Sequence, residues 1–265
     1  MRKLIVMVLM VGFGYTTYAQ DSGELPVPLS DPSKRGKLIV DIHYGGVTIK
    51  GTARKDVLVK YAANEEKAAG RSEKDGLKRI SAGTIELEAS ENNNVVKVES
   101  SSWNKKTDVI VEVPIGFDVK ASSYNDGDIV INNIEGEVEI TTYNGEVTAE
   151  NISGSVIAST YNGEVKISFN KLMEGIPMSF STYNGDIDLT IPAASKATFK
   201  MKTQSGEILS AFDMKMIESG PVQKKDTKSG TYKVMVDEWV KGEINGGGPE
   251  ISMRNYNGDV IIRKK

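Results

Sequence analysis

Along most of the chain, apolar residues occupy alternate positions behind a glycine. The unit reads Gly-x-Val/Ile-x followed by another apolar or small residue, and a period of two is typical of a half-buried β-strand. In the centre of the chain these glycines are nine residues apart: Gly127, Gly136, Gly145, Gly154 and Gly163. Further units begin at Gly185, Gly206, Gly242 and Gly258, with weaker copies at Gly46 and Gly83. Each unit predicts one short strand, entered through a bend whose Asn-Gly residues tolerate positive φ.

Neighbouring units differ in the residues before the glycine, which doubles the period to 18 residues. Tyr143-Asn144-Gly145 and Tyr161-Asn162-Gly163 alternate with units that lack the tyrosine. One turn of a β-solenoid takes about that many residues. The predicted fold class is therefore all-β: a single-stranded parallel β-solenoid (β-helix) with coils of about 18–22 residues.

An antiparallel sandwich or barrel is the competing fold, because Asn-Gly also joins the strands of hairpins. The recurrence of identical residues favours the solenoid. Stacked coils place equivalent residues about 4.8 Å apart, so that like side chains form ladders.

The amino-terminal residues predict an exported protein. Arg2 and Lys3 precede an apolar run that is too short to span a bilayer, and a small-residue site ends at Ala19, so residues 1–19 are predicted to be a secretory signal peptide. Residues 20–36 contain three prolines and are predicted to be a flexible leader. Residues 37–265 are predicted to form the solenoid domain, with a charged insertion near 64–79 and an irregular segment near 211–235. The predicted location is the periplasm, the cell surface or the extracellular space, with no transmembrane segment in the mature chain.

Composition narrows the choice of partners. The chain has no cysteine, so we expect neither a disulfide framework nor a lipid-modified cysteine. Its formal net charge is -3, and loss of the predicted signal peptide removes two further positive charges. This acidic balance argues against nucleic acid as a partner.

Tyrosines that recur before the glycine bends are the strongest candidate for a functional site. If their neighbours in sequence point inward, these tyrosines point outward and form an aromatic stripe suited to sugar rings or to a partner protein. The competing interpretation is that the stacked rings only stabilise the coils. The following asparagines are predicted to form a structural amide ladder within the turns. The candidate stripe is Tyr124, Tyr143, Tyr161 and Tyr183, and the ladder is Asn125, Asn144, Asn162 and Asn184.

The acidic residues and the histidine give weaker signals. Glu146, Glu164 and Asp186 could stack as an acidic column that attracts Ca²⁺. However, Lys166 is close in sequence and the Gly-Gly-x-Gly-x-Asp motif of calcium-binding solenoids is missing, so a solvated face is favoured and no metal or cofactor is predicted. The single histidine, His43, lies outside the repeats and has no cysteine to activate. No catalytic residue is predicted.

The chain resembles a group of exported bacterial domains of unknown function known as putative adhesins, which are related to auto-transporter adhesin head domains. The resemblance covers nearly all of the predicted mature chain. It rests on Val113-Pro114-Ile115-Gly116-Phe117, on the Tyr-Asn-Gly units, and on residues 242–248 with 257–262. It implies the solenoid architecture and an adhesin-like role, and it implies no catalytic residues.

Three functions are compatible with the sequence. The favoured one is an exported, non-catalytic binding or structural module of the cell envelope that engages an unidentified envelope protein or glycan, or associates with itself. The second is a polysaccharide-acting enzyme of the β-helix type, which would need convergent acids in a groove near residues 170–178 or 211–235. The third is a component of envelope-stress signalling, which no residue separates from the first.

Overall fold

The computed structural model describes residues 21–64, 87–103, 105–217, 222–225, 232–235 and 239–265. The predicted signal peptide and most of the charged insertion near 64–79 lie outside the described residues. Within them the regular elements are all strands, which confirms the all-β prediction. The strands are β1 (Asp21–Val27), β2 (Lys37–Tyr44), β3 (Val47–Thr52), β4 (Val57–Asn64), β5 (Glu88–Asn92), β6 (Val95–Ser100), β7 (Lys106–Pro114), β8 (Asp118–Asn125), β9 (Ile129–Asn132), β10 (Glu137–Thr142), β11 (Val147–Ser159), β12 (Val165–Leu172), β13 (Met178–Ser181), β14 (Ile187–Ile191), β15 (Ala197–Lys202), β16 (Ile208–Ser210), β17 (Lys215–Ile217), β18 (Val222–Lys225), β19 (Tyr232–Met235), β20 (Val240–Ile244), β21 (Glu250–Arg254) and β22 (Val260–Lys264).

Two stacks of strands enclose the core. The strand before each Tyr-Asn-Gly bend lies in one stack, sheet B, and the strand after the bend lies in the other, sheet A. The long strand β11 contributes its first residues to sheet A and its last to sheet B. In the middle of both sheets the pairing is parallel and in register, so that Val138 lies beside Val119 on one side and Val156 on the other. Because alternate residues of a strand point to opposite faces, the apolar positions of the repeat fill one continuous core.

The ends of the stack are antiparallel, which corrects the prediction of an exclusively parallel, single-stranded solenoid. At one end β4 pairs antiparallel with β1 and β7, and β5 pairs antiparallel with β6. At the other end β20 pairs antiparallel with β15 and β17. The sheet is therefore mixed. These strands cover both terminal edges of the sheet B ladder and the amino-terminal edge of the sheet A ladder, whose unpaired N–H and C=O groups would otherwise be open to other chains. At the carboxy-terminal end of sheet A the last described strand is β16, which pairs parallel with β22.

Coils do not follow one another in chain order at either end. In the carboxy-terminal half, β21 lies between β13 and β15, and β22 lies between β14 and β16. The last coil in the sequence is therefore inserted between two earlier ones. In the amino-terminal half, β2 lies between β6 and β8, and β3 lies between β7 and β9, so that the coil of β6 and β7 lies outside the first one.

Two further predictions about the segments need correction. Part of the predicted flexible leader forms β1, because pairing with β4 satisfies its backbone and because Val27 and Leu29 are buried against the core. The segment near 211–235 is not wholly irregular. It contains β17, β18 and β19, and Phe212 within it is buried.

Candidate functional site

A short turn, in most coils Ser/Thr-Tyr-Asn-Gly, sets the direction of the tyrosine. Where the first residue is Ser or Thr, it is buried and its hydroxyl donates a hydrogen bond to a glycine carbonyl of the neighbouring coil. Thr160 donates to Gly145 over 3.0 Å and Thr182 donates to Gly163 over 2.9 Å. Before Tyr256 the residue is Asn255, whose side-chain amide donates to the carbonyl of Gly185 over 2.8 Å. With this residue fixed inward, strand alternation directs the tyrosine that follows it to solvent.

The four predicted ladder asparagines lie in one hydrogen-bonded row inside the turns. Each side-chain amide donates to the side-chain carbonyl of the asparagine one coil away, over 3.4 Å from Asn144 to Asn125 and 2.8 Å from Asn162 to Asn144. Asn184 continues the row, and Asn257 of the inserted coil extends it over 2.8 Å. The amide dipoles therefore all point the same way along the stack.

The structure brings the four predicted tyrosines together and adds a fifth. Tyr124, Tyr143, Tyr161, Tyr183 and Tyr256, here called the tyrosine column, stack with ring centroids 4.6 to 5.2 Å apart. Between neighbouring rings the planes differ by 3° to 19°, and each side chain is 38% to 46% exposed. The column is therefore about 20 Å long, since coils repeat at about 4.8 Å.

Nearly parallel rings cover one another's faces. What the column offers to solvent is a row of ring edges and phenol hydroxyls, repeated once per coil. This differs from the flat aromatic stripe that the sequence predicts. A sugar ring that stacks on an aromatic face finds no open face between the rings of the column, whereas a ligand that accepts hydrogen bonds meets one hydroxyl after another.

Sequence reasoning missed three members of the aromatic row. Tyr256 has the Tyr-Asn-Gly motif, but its place beside Tyr183 follows only from the inserted coil. At the other end, His43 occupies the tyrosine position of its coil and stacks on Trp103 with centroids 4.4 Å apart. Trp103 also meets Tyr124 edge to face at 5.9 Å. Trp103 lies outside the repeat units, and His43 precedes the weaker copy at Gly46 with histidine in place of tyrosine, so the recurrence of tyrosine marks neither residue.

A row of small hydroxyl side chains runs beside the tyrosine column on sheet B. Its members are Ser122, Thr141, Ser159 and Ser181, which lie in register on neighbouring strands. Ser159 donates to Thr141 over 3.4 Å. Within the tyrosine column, partial burial, the neighbouring Tyr256 and Tyr161, and a hydrogen bond with Tyr256 raise the pKa of Tyr183. The Tyr183 phenol therefore stays protonated at neutral pH and can donate a hydrogen bond.

An acidic row follows the glycines on the sheet A side: Asp128, Glu146, Glu164, Asp186 and Asp259, here called the acidic column. All three of its aspartates accept a hydrogen bond from the backbone amide of the next coil, Asp259 from Glu207 over 2.8 Å. Asp128 accepts from Glu146 over 2.8 Å, and Asp186 accepts from Asp259 over 2.7 Å. Among the described residues, no group of three or more acidic or histidine side chains is arranged to hold a metal ion. The aspartates of this row thus act first as caps for backbone N–H groups.

Replacing Glu164 by Gln is expected to stabilise the protein at pH 7. Partial burial raises the pKa of Glu164, aided by Glu146, Asp188 and Asp186 and opposed by Lys166. A carboxyl whose pKa is higher in the folded state binds its proton more tightly there, so the free energy of unfolding falls as the pH rises from about 4.5 through the folded pKa. The melting temperature of the variant should exceed that of the wild type at pH 7, and the two should agree near pH 3.

Glu150→Gln is the matched control, because Glu150 is exposed and lies beside Asn132 rather than beside other acids. An equal gain at pH 7 and near pH 3 for Glu164→Gln would contradict the electrostatic origin of the effect.

A cleft of about 840 Å³ lies between the loops around residues 170–175, 192–196 and 247–250. It coincides with one of the two places where an enzyme would need its groove. Two acids line it, Glu174 and Glu250, and both are exposed to water. Glycosidase acids are instead shielded from water to raise their pKa. His43 packs on Trp103, with Nδ1 3.1 Å from the carbonyl oxygen of Ser100.

Comparison with known proteins adds a partial family match. Residues 117–245, somewhat less than half of the chain, match the family model described as Toastrack DUF4097. None of the curated proteins compared with the chain matches it significantly. Among the described residues, no helix has the length and apolar character to cross a membrane.

Three solved structures are similar to the chain at low identity. A putative cell adhesion protein from Clostridium sporogenes is 14% identical with a TM-score of 0.48, over 93% of this chain and 100% of that one. A putative adhesin from Bacteroides fragilis is 10% identical with a TM-score of 0.37, over 93% and 98% of the two chains. A putative adhesin from Parabacteroides merdae is 8% identical with a TM-score of 0.25, over 92% and 96%.

Proposed function

We propose that the protein is an exported, non-catalytic binding module of the bacterial cell envelope, a rigid β-solenoid that holds a polysaccharide along its tyrosine column. The observation that carries this proposal is the once-per-coil repetition of the same polar groups on one exposed face. The signal-like amino terminus supports export to the periplasm or the cell surface. The exposed acids of the cleft and the packed His43 support a binding role rather than catalysis.

A repetitive face fits a repetitive ligand. Tyrosine rings recur every 4.6 to 5.2 Å, with a carboxylate on one side and on the other a Ser/Thr hydroxyl, which Arg254 replaces on the Tyr256 coil. A polysaccharide carries hydroxyl groups on every sugar, so each coil can form hydrogen bonds of the same kind as the last. An extended peptide repeats its same-side residues about every 6.8 Å and would lose register within two coils.

The chemistry of the face selects the type of polysaccharide. The acidic column runs parallel to the tyrosine column and would repel a polyanionic chain, since like charges at such distances destabilise binding. A neutral or amino-sugar polymer meets hydroxyls and carboxylates that can accept and donate its hydrogen bonds. The tyrosines are already stacked in the free protein, so little side-chain entropy is lost on binding.

Tyr143→Phe combined with Tyr161→Phe tests the proposal. The two phenylalanines preserve the ring stack but remove two hydroxyls from the middle of the column, so binding should weaken about tenfold while the melting temperature stays the same. Titration calorimetry with hexamers of β-linked glucose, N-acetylglucosamine and glucosamine measures the affinity, with polygalacturonate as the polyanionic comparison.

Tyr61→Phe is the control, because Tyr61 lies in β4, outside the column. The proposal fails if the wild-type protein binds none of the hexamers. It also fails if the double variant binds them as tightly as the wild type. A third outcome would also contradict the proposal: the wild-type protein sediments as a dimer and the double variant as a monomer. The tyrosine column would then bind a second copy of the chain.

A further inference from the structure

We propose that Trp103 is the platform on which one sugar ring of the bound polysaccharide stacks, at the end of the tyrosine column. This inference rests on the proposed function and names the subsite at which the ligand is gripped most tightly. It is motivated by a difference in ring orientation. The tyrosine rings expose their edges to solvent, whereas the Trp103 indole exposes one of its faces.

Trp103 is the most exposed large apolar side chain of the described residues, at 63%. One face of its indole lies on the His43 ring, with centroids 4.4 Å apart and planes 27° from parallel. Tyr124 meets it at 72°. Since Trp103 remains 63% exposed with these two contacts made, we infer that the opposite indole face meets solvent.

His43 fixes the orientation of this platform. Its Nδ1 lies 3.1 Å from the carbonyl oxygen of Ser100, three residues before Trp103 in the chain. The imidazole is therefore tied to the same turn that carries the indole, and the two rings form a rigid pair. A preformed aromatic face binds with little loss of conformational freedom.

Polar groups suited to a sugar lie in the adjoining turn. That turn, Tyr124-Asn125-Asp126-Gly127, has one more residue between the tyrosine and the glycine than the Tyr143 turn. Asp126 has a positive φ of 46°, and its side chain is 64% exposed. Its carboxylate accepts a hydrogen bond from Lys106 Nζ over 2.7 Å. The pair can accept and donate hydrogen bonds at the rim of a stacked ring, as the few polar groups of ligand sites do.

The binding site has two parts, the Trp103 indole and the tyrosine hydroxyls. The apolar face of a pyranose ring packs on the indole. This contact is stabilised because it buries aromatic surface. The following sugars run along the tyrosine hydroxyls. Since Lys106 is already paired with Asp126, the subsite gains no net positive charge, and a neutral or amino sugar is the class that it accepts.

Trp239→Phe creates a direct reporter for this subsite. The chain has two tryptophans, so in this variant Trp103 is the single source of tryptophan fluorescence. Trp239 lies under Lys200, 4.7 Å from the ring centroid, and phenylalanine preserves an aromatic ring there. On adding the hexamer that the wild type binds best, we expect a blue shift of the emission and protection from iodide quenching.

Trp103→Ala supplies the matching affinity measurement. Because Trp103 is exposed, the variant should fold with an unchanged melting temperature and bind the hexamer about tenfold more weakly. If the wild type binds hexamers and the Tyr143/Tyr161 variant binds them less, but Trp103→Ala binds them normally and the fluorescence does not move, this inference alone is wrong. If the wild type binds no hexamer, the proposed function fails together with it.

Discussion

Removing residues 250–265 is expected to unfold the carboxy-terminal half of the stack rather than to shorten it by one coil. These residues form β21 and β22, which lie between earlier strands on both sides. Their loss would open two facing parallel edges and remove four core side chains: Ile251, Met253, Val260 and Ile262. At about 1.5–3 kcal/mol for each buried side chain, the loss is comparable to the whole stability of a typical domain, about 5–15 kcal/mol.

Circular dichroism and limited proteolysis would measure this effect. The truncated chain should lose part of its β signal at room temperature and become sensitive to protease beyond β14. Removing only Lys264 and Lys265, which are exposed, is the control and should leave both properties intact. A truncated chain that unfolds in one cooperative step at a slightly lower temperature would contradict the inserted position of the last coil.

Gly163→Ala is expected to destabilise the protein by about 3 kcal/mol or more. Gly163 has a φ of 151°, and a Cβ atom there would overlap the carbonyl oxygen of Gly145 in the neighbouring coil. The overlap cannot be relieved locally, because the backbone N–H of Gly163 is bound to the carbonyl of Asn184 over 2.8 Å on the other side. The substitution must therefore push two turns apart, and the rings of the tyrosine column move with them.

Urea denaturation gives the comparison that decides this point. Gly116→Ala is the control, since a Cβ atom at Gly116 would have no atom within 4 Å. We expect the control to change the free energy of unfolding by less than about 1 kcal/mol. If Gly163→Ala is no more harmful than Gly116→Ala, the close approach of the glycine turns is wrong.

The periodic part of the fold could be predicted because one physical cause acts in every unit. Alternation around Val138 and Ile140 marks the buried face of each strand, and the Asn-Gly residues mark the bends. The 18-residue spacing of Tyr143 and Tyr161 places them on neighbouring coils. Local pattern and long-range packing agree there, which is when sequence reasoning works.

The order of the coils could not be predicted in the same way. The unit at Gly258 has the same pattern as the unit at Gly185, and nothing within it states which coil it will stack on. In the structure β20 pairs antiparallel with β15 and closes that end of sheet B, and the final coil lies inside it, with β21 between β13 and β15. Which distant strands pair depends on tertiary packing, and a local sequence pattern does not determine it.

The aromatic row, too, could be predicted only in part. The spacing of the tyrosines predicts that they are neighbours, but the tilt of the rings depends on packing at about 4.8 Å and turns a predicted stripe into a row of edges. Trp103 is outside any repeat, and its contact with His43 joins two segments 60 residues apart in the chain.

A pair of engineered cysteines tests the central arrangement most directly, because the chain has no cysteine of its own. Tyr183→Cys with Tyr256→Cys places two thiols on adjacent coils, about 4.8 Å apart at Cα, within the range of a disulfide. Tyr183→Cys with Gln204→Cys joins coils that adjoin in sequence but lie two steps apart in the stack. Mass spectrometry after mild oxidation of dilute protein should find the disulfide in the first pair and free thiols in the second. A disulfide between positions 183 and 204, with none between 183 and 256, would contradict both the inserted coil and the tyrosine column that it completes.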